Sequence, residues 1–348
     1  MKSKNNDLRA CSYFDLLDIL VELSEPKFRA KQIHEWLWKR GATSLDAMTN
    51  LPVALREKLA TDYVINALTI DTQQFSTDGT IKTRFRTHDG HLLESVLIPV
   101  PSDNRFTVCV SSQIGCSLTC SFCATGRMER KRNLSAGEIY DQVFMVNQQA
   151  MEHFQHPLTN IVYMGMGEPL LAYSDVLESI AHIASPDGLN MSPKRITVST
   201  AGIAKMIKKL ADDKVRFNLA LSLHAADDTK RNEIMPINES NDLESLTEAL
   251  QYFDQKTGNP ITFEYIAFQG FNDSIEDAKN LLKLCRKVPA KVNIIEYNPI
   301  DDAPFQKSNA HRVDDFAKYL SQKGVSVTVR KSRGRDIDAA CGQLANKG

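Results

Sequence analysis

The first sixty or so residues carry apolar side chains at helical spacing. Ile33, Trp36 and Leu37 recur three and four residues apart within EPKFRAKQIHEWLWKRG, which predicts an amphipathic helix that Gly41 stops. LPVALREKLATDY predicts a second short helix, since a proline near its start precedes good helix formers. We therefore expect residues 1–62 to form a small helical domain of the helix-hairpin-helix type.

After residue 62 the period of the pattern shortens to two. IKTRFRTHDGHLLESVLIPV alternates on both sides of His88-Asp89-Gly90-His91, which predicts two strands joined by a hairpin turn. We assign residues 63–103 to a β linker or extension between the helical domain and the remainder of the chain.

From about residue 105, short β-rich runs alternate with helical stretches such as SDVLESIAHIA and SIEDAKNLLKLCRKV. The runs are RFTVCVSS, NIVYMGM, RITVST, FNLALSL, TFEYIAF, KVNIIEY and VSVTVR. Such alternation predicts an α/β fold with a parallel sheet. Six or seven βα units without a doubly wound fingerprint favour a partial (βα)6-type barrel over residues 104–348, with its active site at the carboxyl ends of the strands.

The composition is that of a folded globular protein. Forty-two per cent of the 348 residues are hydrophobic and 24% are charged, which excludes collagen-like, coiled-coil and largely disordered chains. The net charge of −1 means that a nucleic acid must be bound by local basic patches. No apolar run of about 18 residues and no secretory signal pattern occurs, so we expect a cytoplasmic protein without a membrane partner.

Two basic patches are candidates for binding RNA. The first lies in the helical domain beside Trp36 and Trp38 and contains five cations but only one acid, Glu35. The cations are Lys27, Arg29, Lys31, Lys39 and Arg40. The alternative is a solvated helix face over a buried tryptophan. The second patch is expected to surround the active-site mouth and to attract phosphates, and it consists of Arg127, Arg130, Lys131, Arg132, Lys331, Arg333 and Arg335.

Three of the seven cysteines lie within GCSLTCSFCATG, directly after the first strand of the βα series. Cys116, Cys120 and Cys123 are too crowded for a disulfide framework, which favours metal or redox chemistry. Because iron–sulfur clusters usually take four cysteine ligands, three predict a [4Fe–4S] cluster with one iron open to another ligand. A structural zinc would need a fourth ligand nearby, and no histidine occurs between His91 and His153.

This Cys-x3-Cys-x2-Cys loop resembles the signature of the radical S-adenosylmethionine superfamily. Further stretches resemble, in order, the RlmN/Cfr family of adenosine methyltransferases: RNLSAGEIYDQV, YMGMGEPLL, RITVSTAGI, LALSLHA, RNEIMPIN, YNPI and RGRDIDAACGQL. The resemblance covers about residues 25–346 and is closer to the RlmN branch, because RKSRGRDIDAACGQL and FRAKQIHEWLWKRG are similar to its two ends. Met128-Glu129-Arg130 departs from the family's more usual Met-Gly-Leu.

The resemblance implies a set of cofactor ligands. Cys116, Cys120 and Cys123 would hold the cluster, whose open iron would chelate the amino and carboxylate groups of S-adenosylmethionine. In GMGEP, Gly165 and Gly167 allow the backbone to approach a ligand closely, and a carboxylate can accept hydrogen bonds from an amine. The residues expected to contact S-adenosylmethionine are Gly167, Glu168, Ser199, Ser222, Leu223, His224 and Asn298.

Three catalytic residues are also implied by the resemblance. One S-adenosylmethionine would methylate Cys341, and a second would be cleaved to a 5′-deoxyadenosyl radical that takes hydrogen from the methylthioether. The resulting carbon radical would add to adenine, and Cys109 would form a disulfide with Cys341 upon release. Glu94 matches a family proton acceptor, although an isolated glutamate is more often a surface charge. Cys11 and Cys285 match no motif.

The activity implied is methylation of C2 in adenosine 2503 of 23S rRNA and in adenosine 37 of certain tRNAs. It would use two S-adenosylmethionine molecules per turnover and an electron-donating, flavodoxin-like reductant. One alternative is Cfr-type methylation of C8 in the same rRNA adenosine. Another is a non-catalytic iron–sulfur protein that binds RNA or senses redox state. GMGEP, Cys109 and Cys341 together argue against the second alternative, since sensing requires none of them.

Overall fold

The computed structural model describes residues 6–347. Within this range the α-helices are α1 Tyr13–Glu22, α2 Arg29–Trp38, α3 Val53–Asp62, α4 Ala136–Phe154, α5 Tyr173–Ala184, α6 Ala204–Asp212, α7 Asp228–Ile234, α8 Leu243–Thr257, α9 Ile275–Lys287 and α10 Ala310–Gln322. The strands are β1 Asn6–Asp7, β2 Tyr63–Val64, β3 Thr69–Phe75, β4 Ile81–Arg86, β5 Leu92–Val100, β6 Arg105–Cys109, β7 Gln113–Ile114, β8 Arg132–Asn133, β9 Asn160–Tyr163, β10 Ile196–Thr200, β11 Asn218–Ser222, β12 Ile261–Ala267, β13 Ala290–Glu296 and β14 Val327–Arg330.

Helices α1 to α3 form the amino-terminal part of the molecule, and both helices predicted there are present as α2 and α3. Helix α2 buries Ile33 and Leu37, and the chain turns at Gly41, whose φ of +63° lies in the left-handed region that glycine adopts without strain. Helix α3 begins directly after Pro52. The helical spacing of apolar residues in this part therefore corresponds to the buried faces of real helices.

Ten strands form one sheet in the order β14-β13-β12-β11-β10-β9-β6-β5-β4-β3. The seven strands predicted from residue 105 onward are all present and pair in parallel with their neighbours, with helices between them. The open parallel sheet confirms the predicted α/β class and partial-barrel architecture. It also brings the carboxyl ends of these strands to one edge.

Of the four strands between residues 63 and 103, β3, β4 and β5 continue that same sheet, whereas β2 pairs with β1. Strands β3–β5 pair antiparallel, and β5 joins the parallel part through β6, where Val96 lies opposite Cys109. The predicted hairpin turn is present, since Thr87 N–H donates to the carbonyl of His91 at 2.9 Å. This segment is thus an extension of the barrel sheet and not a separate linker.

Burial follows the sheet topology. Strand β11 buries Leu219, Ala220 and Leu221 in succession, as expected of a parallel strand covered on both faces. Outer helices cover the sheet with one apolar face each, as α9 does with Leu281 and Leu284. The core therefore lies between the sheet and its helices and leaves the strand ends free to form a site.

Two buried contacts attach the amino-terminal helices to the barrel. Arg9 forms an ion pair with Asp141 of α4 at 2.5 Å, and both side chains are almost completely buried. Trp38 stacks on His182 of α5 with ring centroids 3.5 Å apart. Trp38, one of the two tryptophans beside the first basic patch, is therefore a buried packing residue. This agrees with the alternative that the patch is a solvated helix face over a buried tryptophan.

None of the helices within residues 6–347 has the combination of length and apolar character that a membrane span requires.

Candidate functional site

A cavity opens at the carboxyl ends of the parallel strands, which is where ligands usually bind in parallel α/β sheets. Most of the residues predicted to bind the cluster and S-adenosylmethionine line it together with one predicted catalytic cysteine: Cys116, Cys120, Cys123, Gly167, Glu168, Ser199, Ser222, His224 and Cys341. Four predicted site residues lie outside the lining, namely Glu94, Cys109, Leu223 and Asn298.

The cysteine loop follows β6 and is held in shape by backbone contacts. Cys123 N–H donates to the carbonyl of Cys120 at 3.1 Å, and Leu118 N–H donates to Cys116 Sγ at 3.5 Å. A side chain at Gly126 would approach the backbone nitrogen and oxygen of Cys120 to 3.0 Å, so a glycine is needed at this position. The three thiols are consequently presented to the cavity by a well-defined loop.

The spacing of these thiols fits an iron–sulfur cluster better than a single metal ion. Within residues 6–347, their sulfurs do not all lie within 4.8 Å of one another. A tetrahedral zinc with Zn–S bonds of about 2.3 Å would hold its sulfurs about 3.8 Å apart. In a cluster each thiolate binds a different iron, which permits the wider spacing. Burial raises the pKa of the Cys116 thiol to about 11, so cluster binding must release its proton.

The GMGEP loop lies beside the cysteines and depends on Gly167. Its φ is +95°, and a Cβ at this position would lie 2.4 Å from the side chain of Gln113. Glu168 is buried and accepts hydrogen bonds from Leu170 N–H at 2.9 Å and Ala201 N–H at 2.7 Å. Burial raises the pKa of this carboxyl. Because each carboxylate oxygen has a second lone pair, Glu168 can also accept from an amine in the cavity.

Polar groups at the ends of β10 and β11 form the opposite wall. The hydroxyls of Ser199 and Ser222 lie 3.3 Å apart. His224 Nδ1 accepts from Ile266 N–H at 3.1 Å, which leaves Nε2 as a donor. Burial lowers the pKa of His224 to about 3, so the ring is neutral at pH 7. Leu223 is fully buried and does not line the cavity with its side chain, so its expected contact with S-adenosylmethionine stays a prediction.

The carboxy-terminal segment, residues 339–347, contributes Cys341 and Gly342 to the cavity lining. Ala124 N–H donates to the carbonyl of Gly342 at 2.7 Å, and Thr125 Oγ1 donates to that of Leu344 at 2.6 Å. Asn298 Nδ2 donates to the carbonyl of Cys341 at 3.3 Å, while its buried Oδ1 has no partner. Asn298 therefore contacts the segment of Cys341 and does not line the cavity.

Cys109 and Cys341 are 232 residues apart in sequence, and the fold brings them near each other. Cys109 ends β6 and is buried, whereas Cys341 is exposed within the cavity. Burial raises the pKa of Cys109 to about 12, and the protein atoms around the cavity desolvate the Cys341 thiol and raise its pKa as well. Both are free thiols that are protonated at pH 7.

Glu94 is buried on β5 and is not a surface charge. Its Oε2 accepts from the backbone N–H groups of Ala345 and Asn346 at 3.0 and 3.1 Å, and Lys82 Nζ lies 3.4 Å from Oε1. The carboxylate thus holds the carboxy-terminal segment that carries Cys341, and it does not line the cavity.

One acid of the cavity wall was not predicted from the sequence. Glu264 of β12 lines the cavity, accepts from Asn293 Nδ2 at 2.8 Å and lies 3.8 Å from Arg330. Burial raises its pKa. An acid within the otherwise buried strand ITFEYIA was the available signal, because carboxylates are rarely buried without a specific partner.

The second basic patch is partly neutralised. Arg132 forms ion pairs with Asp89 at 2.7 Å and with Glu138 at 2.8 Å, so it joins the hairpin turn to α4. It also places a cation on two of the carboxylates in the cluster of His88, Asp89 and Glu138, whose ligand atoms lie within 4.8 Å of one another. Arg335 pairs with Glu296. Arg132 and Arg335 are therefore paired with carboxylates in this structure, and their contact with phosphates stays a prediction.

Comparisons with known proteins cover the whole chain. Residues 7–65 match the family model "Ribosomal RNA large subunit methyltransferase N-terminal domain", and residues 110–284 match "Radical SAM superfamily". The "Probable dual-specificity RNA methyltransferase RlmN" of Cytophaga hutchinsonii is 56% identical over 99% of this chain and 94% of its own length. The protein of the same description from Flavobacterium psychrophilum is 52% identical, over 100% of this chain and 99% of its own. The crystal structure of a radical SAM methyltransferase from Sphaerobacter thermophilus superimposes with a TM-score of 0.92 at 41% identity, covering 98% and 99% of the two chains.

Proposed function

The chain belongs to the RlmN family of radical S-adenosylmethionine RNA methyltransferases, and we propose that it methylates C2 of adenine at adenosine 2503 of 23S rRNA and at adenosine 37 of tRNA. The observation that carries the proposal is the placement of Cys341 in the same cavity as the three-cysteine loop and Glu168. A methyl carrier must reach both the methyl donor and the substrate base, and a thiol in this cavity meets both requirements.

The cavity walls suit S-adenosylmethionine bound beside a cluster. Cys116, Cys120 and Cys123 would hold a [4Fe–4S] cluster, which would supply the electron for reductive cleavage of S-adenosylmethionine and a binding point for its amino and carboxylate groups. Glu168 accepts from the ammonium, and Gly167 lets the backbone approach it. The remaining contacts come from Ser199, Ser222 and the neutral His224, whose donors and acceptors match ribose and adenine.

Cys341 and Cys109 act in sequence in this proposal. Cys341 loses its thiol proton and takes the methyl group from the sulfonium, and S-adenosylhomocysteine leaves. After one hydrogen atom is removed from this methyl group, its carbon is joined to C2 of adenine, and the adduct gives up one electron and the C2 proton. The Cys109 thiol then loses its proton and attacks Cys341 Sγ, which breaks the carbon–sulfur bond, forms the disulfide and leaves a methyl group on C2 once the carbon takes up a proton. For Glu94 to accept the ring proton, its bonds to Ala345 and Asn346 must open when RNA enters.

RNA reaches the cavity from the side of the amino-terminal helices in this proposal. Lys31, Lys39 and Arg40 are exposed on and after α2, where they can contact phosphates. A flavodoxin-like donor reduces the cluster. Because its proposed substrates are ribosomal and transfer RNA, we expect the protein to act in the cytoplasm.

Mass spectrometry of RNA from cells with and without this chain tests the proposal. We expect 2-methyladenosine in both 23S rRNA and tRNA, and its loss from both when the chain is deleted. Detection of 8-methyladenosine instead would overturn the proposal and favour Cfr-type methylation of C8. No change in either RNA would favour a protein that binds RNA or senses redox state without turnover.

A further inference from the structure

Arg231 is the most completely buried cation near the cavity. It lies on α7, and none of its surface is exposed. Its Nε donates to the carbonyl of Leu223 at 3.1 Å, Nη1 to Asn238 Oδ1 at 2.5 Å, and Nη2 to the carbonyls of Ala201 at 2.5 Å and Ser222 at 3.2 Å. All four acceptors are uncharged.

The charge of Arg231 has no anionic partner in contact. Across residues 6–347, no carboxylate oxygen lies within 4.0 Å of its guanidinium nitrogens, whereas the neighbouring Lys230 pairs with Asp277 at 2.6 Å. Burial lowers the pKa of Arg231 to about 10, which still leaves it protonated at pH 7. Buried charges in proteins are normally paired, so a cation bonded only to neutral groups indicates an anion that binds nearby.

The position of Arg231 identifies which anion that is. Ala201 directly follows β10, Ser222 ends β11, and both residues line the cavity. Ser121, next to Cys120, donates its backbone N–H to the carbonyl of Ile234 at 3.1 Å and so ties α7 to the cysteine loop. The cation therefore stands behind the loop that holds the cluster.

We propose that Arg231 is a positioning residue that faces the [4Fe–4S] cluster with a fixed positive charge and raises its reduction potential. The proposal rests on the proposed function, which supplies the cluster. Reduction adds one negative charge to a cluster that three thiolates already make anionic. A cation held in a low-dielectric interior stabilises the reduced state more than the oxidised state. Its four hydrogen bonds keep the guanidinium from turning toward solvent.

The test is an EPR-monitored redox titration of the full-length chain, reconstituted with iron and sulfide under anaerobic conditions. We expect Arg231→Gln, which keeps hydrogen-bonding capacity but removes the charge, to shift the potential to a more negative value. Arg231→Lys, which keeps the charge, is expected to remain close to the wild type. Lys230→Gln is the matched control, because it removes a partly exposed charge one residue away, and its potential is expected to stay unchanged.

An unchanged potential in Arg231→Gln at full iron content would overturn the proposal and leave Arg231 a purely structural clamp of two strand ends. If Arg231→Gln holds no cluster, Arg231→Lys decides: a wild-type potential supports the charge, and a more negative potential or lost cluster overturns it. A wild-type chain without a redox-active cluster would refute the proposed function itself, which distinguishes the two failures.

Discussion

The backbone N–H of Ala124 donates a 2.7 Å hydrogen bond to the carbonyl of Gly342, and these residues directly follow Cys123 and Cys341. The loop that is proposed to hold the cluster is thereby bonded to the segment that carries the proposed methyl carrier. Thr125 and Leu344 form a second bond between the same two stretches. The distance between Cys341 and the cluster loop is thus set by short backbone contacts.

Loosening the carboxy-terminal segment is expected to impair methyl transfer without removing the cluster. Gln343 Nε2 donates to the carbonyl of Pro299 at 3.1 Å, and its Oε1 accepts from Ala340 N–H at 3.2 Å. Gln343→Leu leaves both backbone groups without these partners and weakens docking of the segment by about 1–3 kcal/mol. We expect faster hydrogen exchange in residues 339–347 and less RNA methylation, with unchanged iron content.

The matched control for that variant is Lys347→Gln. Lys347 belongs to the same segment, but its ion pair with Asp301 is exposed and contributes little. Its exchange rates and activity are expected to equal those of the wild type. Equal exchange in Gln343→Leu and Lys347→Gln would show that Gln343 does not hold the segment.

Alanine variants of the two proposed catalytic cysteines are expected to stop the reaction at different steps. Cys341→Ala removes the sulfur that accepts the methyl group, so no protein–RNA bond forms. Cys109→Ala leaves methylation of Cys341 and addition to adenine possible but removes the thiol needed for release, so a covalent adduct accumulates. Digestion and mass spectrometry of both variants, isolated from cells, check for a Cys341 peptide bridged to adenosine by one carbon. An adduct in Cys341→Ala, or normal turnover in Cys109→Ala, contradicts these roles.

Charge reversal on the amino-terminal helices is expected to weaken RNA binding. Lys31→Glu combined with Arg40→Glu removes two exposed cations and lowers the slope of log affinity against log salt by about 2. Lys279→Glu with Lys283→Glu on α9 changes the net charge equally and serves as the control. Iron content and S-adenosylmethionine cleavage without RNA remain normal in both. Equal RNA affinity in the two double variants would show that the exposed surface of α2 does not bind RNA.

His182 makes attachment of the amino-terminal helices sensitive to acid. Burial against Trp38, and then the charge of His34, lower its pKa to about 4, compared with about 6.5 in an unfolded chain. The unfolded state therefore binds more protons between these values, and stability falls as the pH is lowered through them. We expect His182 to account for a loss of about 2 kcal/mol between pH 7 and pH 5.

Anaerobic denaturant titrations at pH 7 and pH 5 measure this loss. His182→Gln removes the titrating ring, so the variant is expected to lose less stability over the same interval than the wild type. His224, whose pKa is also lowered, contributes equally to both proteins and cancels in the comparison. An identical loss in the two proteins would show that His182 does not titrate as expected.

The local pattern of the sequence was sufficient to predict helices α2, α3, α5 and α9, the seven parallel strands, the hairpin turn and the α/β class. The spacing of apolar residues indicates which face of a helix or strand is buried, and turn residues indicate where that element ends. Both kinds of information are local in the sequence. The spacing of Cys116, Cys120 and Cys123 likewise predicted a shared site, because three thiols within eight residues cannot lie far apart. The strand-end residues Ser199 and Ser222 followed from the rule that parallel strands end at one edge.

Only the tertiary structure decided which distant groups meet. It joined β3–β5 to the barrel sheet, turned Trp38 inward onto His182, and placed Glu94 and Asn298 against the carboxy-terminal segment instead of the cavity lining. It also brought Glu264 into the cavity wall and left Arg231 buried with only uncharged hydrogen-bond acceptors among residues 6–347. Each of these outcomes depends on contacts between residues that are far apart in the chain. The spacing of apolar residues shows which face of a helix or strand is buried, but it carries no information about which other element covers that face.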